Sequence, residues 1–335
     1  MAGNSFGIDL GTSNIKIYNK GKKKIFNEKN ILAIADKKNL FAVGDEAYEM
    51  YEKAPSNIIV SYPINNGVIA DIENMQKLFK KMLSKAAGAF NKGAEYYMAV
   101  PTDITEVEKR AFYDLIHQAN LKEKRVYLVE KAVADAVGLD IDVNQALGSM
   151  VVNIGADTTE ISVLSLGGIV ISKLLQIGGN QMDESIQNAI KRQYNLLIGS
   201  KTAETIKKEL SSAVPSEERT AKVYGRDIVT GLPVTCEISS NLIYQAIIEQ
   251  LHMIVDNIKV ILERTPPELA ADIIETGVFV TGGSSNIHAF DTLISEETEL
   301  RVNTCEKPDE SVVRGLEKII TSPGLKELAY ESREK

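Results

Sequence analysis

Three short tips rich in glycine and small polar residues carry the clearest chemistry in this sequence. Gly11-Thr12-Ser13-Asn14 sits between apolar runs at 6–10 and 15–18. Gly155-Ala156-Asp157-Thr158 sits between runs at 150–154 and 159–166. Thr281-Gly282-Gly283-Ser284-Ser285 follows a run at 278–280. A strand ending in such a tip turns several backbone N–H groups to one concave side. That suits a phosphate, and glycine lets the anion come close to the backbone. Thr12, Ser13, Thr158 and Thr159 add hydroxyl donors. The third tip, between a strand and a helix, suits a base or ribose resting on backbone. Any one tip alone is better read as a plain turn; the three together point to a nucleotide.

Metal chemistry based on cysteine or histidine is not encoded. Cys236, Cys305, His117, His252 and His288 are scattered, with no zinc or disulfide spacing.

The tips need strands and helices to hold them. Runs at 6–10 and 15–18 predict a hairpin, and 25–43 continues in strand-like fashion. Ile72, Met75, Leu78, Phe79 and Met82 have helical spacing, so a helix is expected over 71–86. A buried strand is expected over 96–100. Thr105 with Glu108 predicts a capping box for a helix reaching about 119. A strand at 126–129 then leads into a small-residue helix at 132–139. Near residue 150 the pattern restarts: "FGIDLGTSNIKIY" and "VVNIGADTTEISV" share one plan, with Asp9 and Asn153 in matching places. This weak internal repeat predicts a duplicated domain. Beyond it come a strand at 169–176, a Gly178-Gly179 break, and helices at 182–194 and 202–213. Residues 216–234 read as polar and turn-rich. A long helix follows at 239–263, ended by Pro266-Pro267, with a last tip-bound helix near 287–293.

Composition agrees with this plan. The 335 residues predict about two domains. With 44% hydrophobic and 25% charged residues, the chain is neither disordered nor fibrous. A net charge of -8 argues against a general nucleic-acid binder. No signal-peptide core and no long apolar span are read, so a cytoplasmic location is expected.

The ordered set of segments resembles the actin, heat-shock chaperone and sugar kinase superfamily, and within it the MreB family of bacterial actins. The segments are "FGIDLGTSN", "AVGDEA", "NGVIADIE", "DITEVEKRA", "GSMVVNIGADTTEISVLSLGGIVIS", "YNLLIGSKTAETIK", "GRDIVTGLP" and "TPPELAADIIETGVFVTGG". They cover nearly the whole chain. The resemblance implies an α/β actin-like ATPase fold with duplicated ribonuclease H-like lobes. Its four subdomains would be IA (1–30, 70–145, 315–335), IB (31–69), IIA (146–180, 245–314) and IIB (181–244). It implies ATP or ADP with Mg²⁺ in the cleft, and filaments of the chain itself, usually paired antiparallel, on the inner membrane surface. Such filaments would support cell shape, and helicity or motility in a wall-less helical mollicute. Only nine of the 38 basic residues are arginine, which fits a low-GC genome of that kind. Several divergent copies would then make paralogous partners available.

Roles carry over by position. Asp9 matches the carboxylate that holds the metal's water shell, with Asn153 as its counterpart in the second hairpin. Gly11, Thr12, Ser13 and Asn14 match the first phosphate loop; Gly155, Ala156, Asp157 and Thr158 match the second. Gly282, Gly283 and Ser284 match the adenosine loop. Glu204 and Lys207 match the pair that contacts ribose and base; an exposed ion pair between them is the plainer reading. Lys16 stands where true actins have a phosphate-contacting lysine, and facing solvent is the plainer reading there too.

Three positions depart from the family. Asn153 replaces an aspartate and brings no charge to a metal. In "VEKAVADAVG", Glu130 aligns with the first glutamate of a Glu-Glu-Pro motif and Lys131 with the catalytic one. An ammonium cannot accept a proton from water, so slow hydrolysis is expected. Asp157 replaces a glycine; it either crowds the phosphate or partly replaces the missing carboxylate. Thr158 keeps the position that orients the water. An amphipathic N-terminal membrane helix is not expected. Phe90 with Lys92 is a weak candidate for an anionic leaflet. A non-hydrolysing subunit that co-assembles with an active paralogue is the alternative.

Overall fold

The computed structural model describes residues 4–88, 93–119 and 123–331. The candidate membrane residues Phe90 and Lys92 lie outside them. By packing, the chain divides into two compact units. One comprises Met1–Leu147, Ser162–Leu174 and Asp309–Lys335; the other Gly148–Ile161 and Leu175–Pro308.

The first unit is built on a five-stranded sheet. Its order is Glu123–Glu130, Ala94–Val100, Asn4–Leu10, Asn14–Asn19, Lys24–Lys29. Asn4–Leu10 and Asn14–Asn19 form the expected antiparallel hairpin, with Asp9 opposite Lys16. Asn4–Leu10 pairs parallel with Ala94–Val100, which pairs parallel with Glu123–Glu130. The central strand is buried on both faces, as a strand in a covered sheet must be. Phe6, Ile8, Met98, Val100, Phe79, Met82 and Phe112 share one core. The helix Ile72–Ala87 is capped by Asp71, whose side chain accepts from the Asn74 backbone N–H. The helix Glu106–Gln118 has the expected Thr105/Glu108 capping box.

The second five-stranded sheet repeats the order: Gly168–Leu175, Thr159–Ser165, Ser149–Ile154, Val278–Thr281, Val302–Asn303. Ser149–Ile154 pairs parallel with Val278–Thr281, placing Asn153 beside Thr281. The duplication read from two short motifs therefore extends to whole sheets.

Four elements differ from expectation. Residues 216–234, read as turn-rich, contain most of an antiparallel hairpin, Thr220–Asp227 with Pro233–Ser239. Ala221 and Val223 point inward while Thr220, Lys222 and Tyr224 are exposed, so a polar composition hid a period of two. Pro266-Pro267 ends one helix and starts another, Pro267–Thr276, because proline is well suited to a first helical position. Gly178-Gly179 separates strand from helix as read, but the helix Gly179–Tyr194 begins at the second glycine rather than at 182. The third tip itself winds into a 3₁₀ turn, Gly283–Asn286, and the helix waits until Phe290–Thr298.

Candidate nucleotide site

The two hairpin tips are closed by the same bond. The Gly11 N–H donates to the Asn14 carbonyl at 3.0 Å, and the Gly155 N–H to the Thr158 carbonyl at 2.8 Å. A Cβ on either glycine would lie 3.0 Å from that carbonyl, tighter than ordinary contact.

In the first unit the tip is tied from below. Asn30 donates its side-chain amide to the Gly11 carbonyl at 2.8 Å and its backbone N–H to the Ser13 carbonyl. Lys29 donates to Ser13 Oγ at 3.1 Å, and Ser13 Oγ donates to Asn14 Oδ1. Asp9 and Lys16 are both buried, with 3.8 Å between Lys16 Nζ and Asp9 Oδ2. That spacing is an ion pair without a hydrogen bond. Lys16 therefore does not face solvent.

Glu130 and Lys131 stand where the strand Glu123–Glu130 meets the helix Lys131–Gly138. Glu130 Oε1 accepts from Tyr330 Oη at 2.8 Å and from Lys109 Nζ at 3.1 Å. Its other oxygen is buried without a hydrogen-bond partner among the described residues. Partial burial and the Glu130 carboxylate push the Tyr330 hydroxyl pKa up, so it stays a donor. Glu130 thus holds the C-terminal segment and Lys109. Lys131 occupies the first turn of its helix, and that turn contains no acidic residue. A cation there opposes the helix dipole and attracts anions.

In the second unit several segments converge on the tip. The Gly179 N–H donates to the Gly155 carbonyl at 3.1 Å, and the Asn180 N–H to the Ala156 carbonyl at 2.7 Å. Ser284 Oγ also donates to the Gly155 carbonyl, at 2.8 Å. Asp157 is buried and accepts from Asn180 Nδ2 at 2.6 Å. This carboxylate ties its tip to the helix Gly179–Tyr194. Gly282 has φ +89, and a Cβ there would collide with the Ile154 carbonyl and stand 2.6 Å from Asn153 Oδ1. Only glycine brings the third tip so close to Asn153.

Glu204 and Lys207 share one helix, Ser200–Leu210, but do not form the exposed pair of the plainer reading. Glu204 accepts from Lys208 at 2.6 Å. Lys207 is buried, donating to the Gly179 carbonyl at 2.7 Å and pairing with Asp183 at 2.8 Å. Asp183 and Tyr330 were not singled out from the sequence. No local signal marks them, since their partners lie 24 and 200 residues away. An open cavity of about 570 Å³, lined by Ser185, Lys191, Arg192 and Glu249 among others, contains none of the predicted residues.

Among the described residues no cluster of three or more His, Cys, Asp or Glu can cage a metal. Mg²⁺ needs no cage, because it keeps most of its waters and takes one or two carboxylates. Asp9 makes no hydrogen bond among the described residues, so its oxygens can accept from metal-bound water. Asp9 by itself fits the water shell of a hydrated Mg²⁺.

The sequence model of the MreB/Mbl protein family matches residues 3–327. The cell shape-determining protein Mbl of Bacillus subtilis (strain 168) is 39% identical over 320 residues, 94% of this chain and 95% of that one. The cell shape-determining protein MreB of Escherichia coli (strain K12) is 40% identical over 323 residues, 94% and 92% of the two chains. MreB5 of Spiroplasma citri, in crystal structures bound to ADP and to AMPPNP, superposes with a TM-score of 0.91 at 33% identity, covering 98% of each chain. A MamK double helical filament subunit, 23% identical, shares the fold with a TM-score of 0.80 over 94% of this chain and 98% of that one.

Proposed function

The chain belongs to the MreB/Mbl family of actin-like, cell shape-determining proteins, and from that premise we propose that it binds ATP and ADP with Mg²⁺, assembles into filaments and hydrolyses ATP slowly. The convergence on the Gly155 carbonyl carries the nucleotide reading. Gly179 and Ser284 both donate to that one atom, and Lys207 is fastened to Gly179. Three segments far apart in sequence are thereby fixed as one surface, which is the preorganisation a ligand needs. The ADP- and AMPPNP-bound MreB5 relatives support it.

Asp9 and Asn153 would hold the waters of Mg²⁺, which when bound neutralises phosphate charge. Lys16, opposite Asp9 in the hairpin register, would contact phosphate. Thr158 would orient the attacking water. Lys131 gives that water no base, and Glu130 is already engaged by Lys109 and Tyr330. Phosphoryl transfer depends on positioning and charge, so turnover should be slow while bound ATP persists. Filaments rich in ATP-bound subunits would serve cell shape, and helicity or motility where a wall is lacking. Antiparallel pairing and a weak hold on the inner membrane face belong to the same proposal.

A second reading has a specific observation behind it. The cation at the head of Lys131–Gly138 suits holding ATP more than cleaving it. The chain would then be a non-hydrolysing subunit beside an active paralogue. Electron microscopy with ATP, ADP and no nucleotide, with phosphate release in parallel, tests both. Filaments with phosphate release at the rate of a glutamate-bearing relative would defeat slow hydrolysis. Absence of filaments unless a paralogue is added would favour the second reading.

A further inference from the structure

We infer that Asp183 is a positioning residue for nucleotide binding: it holds the Lys207 ammonium at the head of the helix Gly179–Tyr194, where Lys207 meets the sugar and base. The inference deepens the proposed function and rests on its nucleotide reading.

Lys207 is a long, flexible side chain, yet here it is buried and doubly held. Its Nζ lies 2.8 Å from Asp183 Oδ2 and 2.7 Å from the Gly179 carbonyl. A Cβ on Gly179 would stand 3.1 Å from that Nζ and 2.6 Å from Ser284 Oγ. The ammonium and the adenosine-loop hydroxyl therefore flank one glycine, with no side chain between them. Two of the three Lys207 N–H donors are accounted for by Asp183 and Gly179, leaving one direction for a ligand.

Asp183 itself gains little from this arrangement. It is only 8% exposed, and its Oδ1 has no hydrogen-bond partner among the described residues. A buried pair with an unsatisfied oxygen is a poor source of stability. Its use lies in where it keeps Lys207. The charges that act on Asp183 are Lys207, Glu204 and Lys208, all on the helix Ser200–Leu210. Burial outweighs Lys207 and pushes the carboxyl pKa up to about 6. The pair is thus intact at pH 7.5 and loses its charge half in mild acid.

Isothermal titration calorimetry of ATP and 2′-deoxy-ATP tests the idea on the full chain, its Asp183→Asn, Asp183→Glu and Lys207→Met variants, and the Asp183→Asn/Lys207→Met double variant. Asp183→Asn should weaken ATP about tenfold, as loss of one charged hydrogen bond does, and narrow the preference for ATP over 2′-deoxy-ATP. Lys207→Met should do the same, and the double variant no more than either, because the two act as one unit. Asp183→Glu should keep most of the affinity. Between pH 7.5 and 5.5 the wild type should weaken towards the Asp183→Asn level while that variant stays flat. The preference between two nucleotides within one variant is independent of how much of it is folded. Additive losses, an unchanged preference in Asp183→Asn, or tighter wild-type binding at pH 5.5 each overturn the role of Asp183 alone. No ATP binding by the wild type at pH 7.5 overturns the nucleotide reading and this inference with it.

Discussion

Lys131 and Asn153 stand at the two positions where the sequence resemblance implies a carboxylate. Restoring both, with Lys131→Glu and Asn153→Asp, should raise phosphate release by about tenfold or more, since a positioned general base contributes 10²–10⁴-fold. Phosphate release in single-turnover assays checks this; an unchanged rate would show that other residues limit the chemistry. Asp183 makes a second residue-scale case, in which function and stability diverge. Its carboxyl pKa is pushed up to about 6 by burial, so the folded chain binds that proton more tightly than the unfolded chain. The resulting stabilisation is complete below about pH 4 and is lost as pH rises through about 6. Thermal melts from pH 4.5 to 7 should show the wild type losing more stability than Asp183→Asn, which has no such proton. Parallel curves for the two would contradict the assignment.

At the scale of elements, the segment carrying Lys131 is positioned by backbone contact. The helices Lys131–Gly138 and Ser311–Thr321 meet through two glycines. A Cβ on Gly315 would collide with the Ala134 carbonyl, and one on Gly138 with the Ser311 carbonyl. Ser311 Oγ donates to the buried Asp135 at 2.6 Å and fixes the register of the two helices. Gly315→Ala should therefore lower stability by about 1–3 kcal/mol, the range for overpacking a filled interior. Thermal denaturation reads the loss, and a melt unchanged from wild type would mean that the helices can part at little cost. Much of this architecture was legible in the sequence: the hairpins, the Thr105/Glu108 cap and the long helix Ser240–Arg264 follow from local spacing. The hairpin Thr220–Ser239 was not, because its alternation sits among polar residues. The tips were legible as glycine positions. Their tethers Asn30 and Ser284 were not, nor were Asp183 on Lys207 and Tyr330 on Glu130, since all four act across distances in sequence that no local pattern reports.

The whole molecule adds a constraint that no single site contains. Each chain carries a formal charge of -8 at pH 7. A filament places many such chains side by side, so like charges gather and oppose assembly. The repulsion acts through solvent and is screened by salt, with a Debye length near 10 Å at 0.1 M and near 3 Å at 1 M. Apolar contacts between subunits are not weakened in the same way. Raising KCl from 50 to 300 mM at pH 7.5 with ATP present should therefore lower the critical concentration for pelleting. Lowering pH towards the sequence pI of about 5.2 should act in the same direction by removing net charge. In that range it also protonates Asp183, which should weaken nucleotide binding towards the Asp183→Asn level. The two variables thus separate: salt should promote pelleting monotonically, while acid should promote it only where assembly does not need bound ATP. Sedimentation across a grid of salt and pH, with and without ATP, measures this. A critical concentration that rises with salt would show that specific ion pairs between subunits, rather than the net charge, govern assembly.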